Sequence, residues 1–264
     1  MIKVAVLGAG GRMGSQTCVS IKESDDLELV AAIDPDFDSA GSDRAMAAIV
    51  STDGQAILQA GAQVAVDFTT PQAAPENIKW CLANNIHAVV GTTGISEQDV
   101  DEISALADKS DANVLIAPNF AIGAVLMMHF AEQAARWMPE AEIIEMHHPA
   151  KLDSPSGTAI KTLEGILRGR ARAEAQNPES PQAGRKETLP GARGAESSGV
   201  RIHSVRLPGL VAHQEVLLGA QGQTLSIRHD TTDRTSFMPG VLLAIRQIHV
   251  HPGLTKGLER LLGI

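Results

Sequence analysis

The chain has 264 residues, enough for one large or two modest domains, each with its own buried core. A hydrophobic fraction of 44% with 20% charged residues is that of an ordinary globular protein. Asp and Glu outnumber Lys and Arg by 31 to 22, a formal net charge of −9. That balance argues against a broad nucleic-acid-binding surface, so any anion must be held by a few well-placed groups.

The two cysteines, Cys18 and Cys81, fall in segments that read as helices, and so few thiols suggest core residues of a cytosolic protein. The N-terminal run MIKVAVLGAGG ends at a glycine turn and lacks the long apolar stretch and cleavage site of a signal peptide. No segment approaches the roughly 20 apolar residues of a membrane span. The expectation is a cytoplasmic protein with neither membrane nor nucleic acid as partner.

The first half alternates short β-branched runs with helical patterns, the signature of βαβ units and a parallel sheet. Ile2–Leu7 is a continuous apolar run suited to a strand buried on both faces. A glycine-rich turn at 8–14 follows, then a helix over 15–23. Leu27–Ile33 is the second strand, ending at Asp34. Further strands are expected at 63–68, 86–90 and 113–117. Helices are expected near 75–83 and over 97–109, the latter capped by Ser96. After Pro118 the pattern changes to a long helix at 122–138, a strand at 141–147 and a helix at 157–172, opened by Pro155 and Ser156. The Pro-, Gly- and Ser-rich stretch 177–199 reads as a long exposed loop. Strands at Val200–Arg206, 210–218 and 223–228, joined by short glycine-bearing turns, suggest an antiparallel meander. The tail, 236–262, reads as helical and is expected to pack back on the first domain.

The heptapeptide Gly8-Ala9-Gly10-Gly11-Arg12-Met13-Gly14 sits between a buried strand and a helix. That context suits a pyrophosphate, because small residues admit close backbone approach and a helix N-terminus supplies N–H groups. Met13 stands where the third glycine of G-x-G-x-x-G would fall; read as G-x-x-G-x-x-G, the pattern is Gly8, Gly11, Gly14. A plain tight βα turn is the bland alternative. Asp34, at the end of the second strand, is placed to accept hydrogen bonds from an adenosine ribose and to repel the extra phosphate of NADP. NADH is therefore expected to be preferred or used equally, with NADPH also accepted; a strand-capping role for Asp34 is the competing reading. The turns Gly91-Thr92-Thr93-Gly94 and Ala117-Pro118-Asn119-Phe120 end two further strands, where open α/β sheets gather ligands, and could present backbone groups to a nicotinamide and its ribose.

The stretch 145–159, EMHHPAKLDSPSGTA, groups two histidines and a lysine at a strand end with Ser-Gly-Thr at a helix start. Proton donors, a fixed cation and free N–H groups together suit carboxylate binding and protonation of a reduced centre. His147 or His148 could titrate near neutrality. Taken singly, each histidine would more often be structural, Lys151 a solvated surface residue, and Ser156 and Thr158 capping groups. Adjacent histidines on a strand face opposite sides, which argues against a shared metal ion, and no metal is expected.

The run HHPAKLDSPSGTA, with GAGGRMG, GTTG, APNFAIG, the loop LPGARG at 189–194 and GLVAHQE at 209–215, resembles the dihydrodipicolinate reductase family over essentially the whole chain. The resemblance implies an oxidoreductase of the diaminopimelate route to lysine, with a small dicarboxylate substrate, a nicotinamide cofactor and a homotetrameric assembly through the second domain's sheet. It also implies His147 as proton donor and Lys151 as second acid or substrate-orienting cation, with His148, Gly157 and Thr158 holding substrate carboxylates. The implied cofactor site comprises Gly8, Ala9, Gly10, Gly11, Arg12, Met13, Asp34, Gly91, Thr92, Thr93, Ala117, Pro118, Asn119 and Phe120. Ser154 stands where alanine is usual, and Pro35 where some members carry arginine, which bears on cofactor preference alone.

The fold expected is α/β. An N-terminal Rossmann-like, doubly wound parallel sheet spans residues 1–119, completed by 231–264. A second α+β domain, 120–230, built on a small, mainly antiparallel sheet, binds substrate and forms the oligomer. Two rival readings need different residues. An aldehyde dehydrogenase of the aspartate-semialdehyde type needs a nucleophilic cysteine near a histidine. A non-catalytic dinucleotide sensor has no need of the 147–158 cluster.

Overall fold

Four successive apolar residues, Val4 to Leu7, are buried in strand β1 (Ile2–Leu7), as a run without polar alternation demands of a strand covered on both faces. The computed structural model describes residues 1–37, 49–173 and 186–264, so part of the loop expected at 177–199 lies outside the described residues. Around β1 lie β2 (Leu27–Ile33), β3 (Ile49–Ser51), β4 (Val64–Asp67), β5 (His87–Val90), β6 (Val114–Ile116) and β12 (Leu254–Lys256). Their order is β12-β6-β5-β4-β1-β2-β3, and every neighbouring pair is parallel. All seven C-terminal ends therefore share one edge. The chain winds outward in both directions from β1, which puts the topological switch point between β1 and β4.

Helices α1 (Arg12–Lys22), α2 (Ala56–Gln59), α3 (Ala74–Ala83) and α4 (Glu97–Ala107) connect these strands. Pro75 occupies the first turn of α3, where its missing N–H costs nothing. Ser96 caps α4, its hydroxyl accepting the Asp99 N–H at 3.1 Å, as the sequence predicts. Leu7, Ile33, Ile57, Ile78, Val90 and Ile103 meet in the core.

Residues Met1–Ile122 and Arg234–Ile264 form one compact unit. The C-terminal part contributes α7 (Met238–Gln247), β12 and α8 (Glu259–Leu262). Asn113 fastens it, donating to the Ile248 carbonyl at 2.9 Å and accepting from the Gly253 N–H at 3.2 Å. The helical expectation for 236–262 is thus corrected at β12. Three residues between Gly253 and Gly257, both at positive φ, are too few to display a period and owe their conformation to pairing with β6.

Gly123–Asp233 is the second compact unit. It contains α5, which begins at the unit boundary (Ile122–Ala134), β7 (Glu140–His147), α6 (Gly157–Ala171), β8 (Ala195–Ser197), β9 (Val200–Arg206), β10 (Ala212–Ala220) and β11 (Gln223–Thr231). The sheet order is β11-β10-β7-β9-β8; β7 pairs in parallel with β9, and the other three pairs are antiparallel. The expected three-strand meander is therefore half right. β10 and β11 form a hairpin, but β7 inserts between β10 and β9, because α6 serves as the crossover that a parallel β7–β9 pair requires. Strand β8 lies within the stretch expected to be loop. Met127 and Ala131 of α5, Leu163 and Ile166 of α6, and Ile143, Ile202, Val216 and Leu218 of the sheet make this unit's core. Among the described residues no helix is long and apolar enough to cross a membrane.

Candidate active site

The C-terminal edge of the parallel sheet gathers the residues expected to hold a dinucleotide: 8–13 after β1, Asp34 after β2, 91–93 after β5 and 117–120 after β6. Each glycine of the turn has a distinct reason. Gly8 has φ +75°, and a Cβ there would lie 2.6 Å from the Phe68 carbonyl oxygen. Gly11 is the N-cap of α1 and offers no side chain to the first-turn N–H groups; no acidic residue stands in that turn. A Cβ on Gly14 would overlap the Gly8 carbonyl, so Gly14 lets the helix lie against the turn. The G-x-x-G-x-x-G reading fits these contacts, with one correction: the helix starts at Arg12, three residues earlier than expected. The outcome is an uncapped helix N-terminus beside bare backbone, which fits an anionic ligand.

Asp34 already serves the turn. Its Oδ2 accepts the Gly10 N–H at 2.9 Å and its Oδ1 the Asp36 N–H at 3.0 Å. A carboxylate has about four acceptor sites, so capacity for ribose hydroxyls remains. Sequence reasoning missed Asp67, the buried last residue of β4. Its Oδ1 accepts from the Thr69 N–H (2.9 Å), the Thr69 hydroxyl (2.7 Å) and the Thr92 hydroxyl (2.9 Å), while Oδ2 accepts from Asn77 (2.8 Å). One carboxylate thereby ties the end of β4 to the 91–94 turn. Phe68 lies over Gly91, where a Cβ would overlap its ring, and stands edge-on to Phe120 with centroids 6.0 Å apart.

In the second unit, His147 is the last residue of β7, and His148 lies beyond the strand end, exposed. The structure separates the two. His147 is half-buried, with Nδ1 2.6 Å from Oε2 of Glu145, two residues back on the same strand face. Glu145 is fully buried. Arg206, at the end of β9, grips it with a fork: Nη1 donates to Oε2 and Nη2 to Oε1, both at 2.8 Å. The Ser156 N–H, at the start of α6, adds a bond to Oε1 at 3.2 Å. Burial would raise the Glu145 carboxyl, but hydrogen bonds from Arg206, Ser204 and His147 hold it below the ordinary glutamate range. Burial lowers the His147 imidazole; Glu145 opposes that fall, while Lys151 and Arg206 add to it.

Lys151 lies in the β7–α6 loop with Nζ donating to both oxygens of Asp153, at 2.7 and 2.9 Å. Asp153 is exposed, so an incoming carboxylate can take its place on the ammonium. Ser156 is the N-cap of α6, its hydroxyl accepting the Ala159 N–H at 3.2 Å. Gly157 and Thr158 open the helix, and a Cβ on Gly157 would meet nothing within 4 Å. Its bareness is not required by packing. His147 thus ends β7, Lys151 lies in the loop that follows and acts electrostatically on His147, and Gly157 and Thr158 open α6, while His148 is exposed.

Cys18 and Cys81 are free and buried, and burial pushes both thiols up to about 12. Neither has the character of a nucleophile at neutral pH, which removes the support for an aldehyde-dehydrogenase reading.

Comparison with known proteins shows the family and the fold. Residues 2–120 match the family described as "Dihydrodipicolinate reductase, N-terminus", and residues 123–262 match "Dihydrodipicolinate reductase, C-terminus". A 4-hydroxy-tetrahydrodipicolinate reductase of Cutibacterium acnes is 53% identical over 100% of both chains. One of Corynebacterium aurimucosum is 49% identical over 100% of this chain and 99% of its own. The solved structure of a dipicolinate-bound dihydrodipicolinate reductase from Paenisporosarcina sp. TG-14 superimposes with a TM-score of 0.86 at 41% identity, covering 98% of this chain and 99% of that one. By sequence over its full length and by fold, the chain belongs to the dihydrodipicolinate reductase family.

Proposed function

We propose that the protein reduces 4-hydroxy-tetrahydrodipicolinate to tetrahydrodipicolinate with loss of water, in the diaminopimelate route of lysine biosynthesis. The observation that carries this reading is the β7–α6 stretch, where an imidazole backed by a buried carboxylate, a lysine and a helix start that opens with Gly157 follow one another within a dozen residues. Two cationic or N–H-rich sites match a substrate with two carboxylates, and the imidazole matches a step that needs a proton.

A pyridine nucleotide is the cofactor of this family's fold, and the residues present fit one. Backbone groups of 8–13 at the start of α1 would hold the pyrophosphate, Asp34 the adenosine ribose, and the 91–93 and 117–120 turns the nicotinamide end. When bound, its reduced nicotinamide supplies hydride to the substrate carbon that bore the hydroxyl. His147 gives its proton to the neighbouring carbon of the resulting enamine. Lys151 holds a carboxylate or acts as a second acid. His148 and the N–H groups of Gly157 and Thr158 hold the remaining carboxylate oxygens. NADH is used at least as well as NADPH, because Asp34 is acidic and Pro35 supplies no cation.

In this reading residues 1–119 with 231–264 bind the dinucleotide, and 120–230 bind substrate and form a homotetramer. The outward face of the second unit's sheet supports the latter, since Ile144, Met146, Val205 and Leu217 stand half-exposed on one side of it. Two unpaired buried cysteines accord with the cytoplasm.

The test couples the protein to a dihydrodipicolinate synthase fed pyruvate and aspartate semialdehyde while NADH absorbance is followed. Absorbance falls only when every component is present; a fall without the synthase, or none with it, overturns the assignment.

A further inference from the structure

We propose that Glu145, locked by Arg206 and the Ser156 N–H, is a positioning residue that sets the tautomer of His147 and holds its imidazolium ready to deliver a proton from Nε2. This rests on the reading of His147 as the proton donor.

Position 145 lies on the face of β7 that packs against helices, in series with Ala141 and Ile143, both buried. A carboxylate there loses its hydration, and such a group persists only where partners replace the lost water. Three do. Arg206 supplies a two-pronged, charge-assisted grip from β9, and the α6 N-cap residue supplies a backbone N–H. Arg206 is itself tied to the β7–α6 loop, donating through Nη2 to the Asp153 carbonyl at 2.7 Å. Glu145 is therefore held from several sides, Ser204 adding a further hydrogen bond, and its Oε2 lies 2.6 Å from Nδ1 of His147.

An ionised carboxylate only accepts hydrogen bonds, so Nδ1 must carry a hydrogen. That leaves Nε2 as the atom that gains and loses the catalytic proton. The charge arithmetic points the same way. Facing His147 are Glu145 on its own strand, Arg206 on β9, and Lys151 with Asp153 in the following loop; Ala212, its cross-strand neighbour on β10, carries no charge. Burial and the two cations oppose the imidazolium, and Glu145 is the group in direct contact that favours it. His148 is exposed beyond the strand.

The experiment has two arms on the full-length enzyme. In the wild type, nitrogen-15 NMR of the labelled imidazoles reads the tautomer and the titration of His147, assigned by its loss in His147→Gln. In Glu145→Gln, an amide has one oxygen where the carboxylate had two, so it cannot satisfy Arg206, Ser156 and Nδ1–H together. We expect Nδ1–H in neutral wild-type His147. In Glu145→Gln, the His147 titration moves to lower pH, the alkaline fall of kcat moves down with it, and kcat drops roughly 10- to 100-fold with little change in KM. Glu145→Asp recovers part of the loss. An Nε2–H tautomer in the wild type overturns the proposal, as does a Glu145→Gln enzyme that loses kcat equally at every pH or keeps the wild-type His147 titration. Should Glu145→Gln fail to fold, the wild-type tautomer decides. If His147→Gln retains full turnover, the donor role falls, while the tautomer still tests the pairing by itself.

Discussion

Two helix N-termini face their tasks in opposite ways. At α1 the candidate site is made of backbone: Gly8 and Gly14 leave room for the turn and the helix to pack closely, and Gly11 offers no side chain to the first-turn N–H groups. At α6 the site is made of side chains, with His147, Lys151, Glu145 and Arg206 arranged by hydrogen bonds around a capped helix. An added atom is the natural challenge to the first, and a lost charge to the second. Glycine itself plays both parts: Gly14 is small because the protein packs against it, while Gly157 is small with nothing against it.

The largest way to test this contrast is to remove charge from the side-chain site. His147→Ala and Lys151→Ala should each lose kcat by roughly 10²-fold or more, the scale of a missing general acid, in steady-state assays. Near-normal turnover in either variant would withdraw that residue's role. Next comes adding an atom to the backbone site. Gly14→Ala should incur about 1–3 kcal/mol of overpacking, read as a lower melting temperature and weaker NADH binding by fluorescence titration. Unchanged stability would mean that α1 does not lie as described. Asp34→Asn removes the charge opposed to a ribose phosphate. The ratio of kcat/KM for NADPH over NADH should rise about tenfold, equivalent to about 1.4 kcal/mol; a constant ratio would leave Asp34 a structural cap of the turn. The smallest effect sharpens the comparison of glycines. Gly157→Ala should leave stability within about 0.5 kcal/mol of wild type, yet raise KM for the substrate a few-fold. A stable variant with unaltered KM would remove Gly157 from the substrate site.

Much of this was legible in the sequence, and the reasons are local. β1, β2 and β9 are readable to the residue, the first two as largely apolar runs next to Gly or Asp and β9 as an alternating apolar–polar run after a glycine. The short strands β3, β8 and β12 exist through their neighbours, whereas β6, equally short, shows itself by the apolar run Val114–Ile116. The parallel β7–β9 pair escaped notice because α6 and its following stretch separate the partners. The chemistry divides likewise. Glycines and the His-His-Lys spacing are visible in a line of text, whereas Glu145 and Arg206 meet across 61 residues. A faint signal was present, since Glu145 interrupts the buried series of Ala141 and Ile143, and a charge on a core face needs a partner. Asp67 gave no such signal, being the last residue of its strand, where acids are common.

In the proposed function the glycine-built edge and the histidine-bearing loop serve one reaction. NADH carrying deuterium at the transferring position of the nicotinamide, given to the wild-type enzyme with synthase-generated substrate, tests it most directly by mass spectrometry and NMR of the product. One deuterium at the carbon that bore the hydroxyl, with His147→Ala slowing its appearance, is the result expected. Product free of deuterium, or labelled at the same rate without His147, would contradict it.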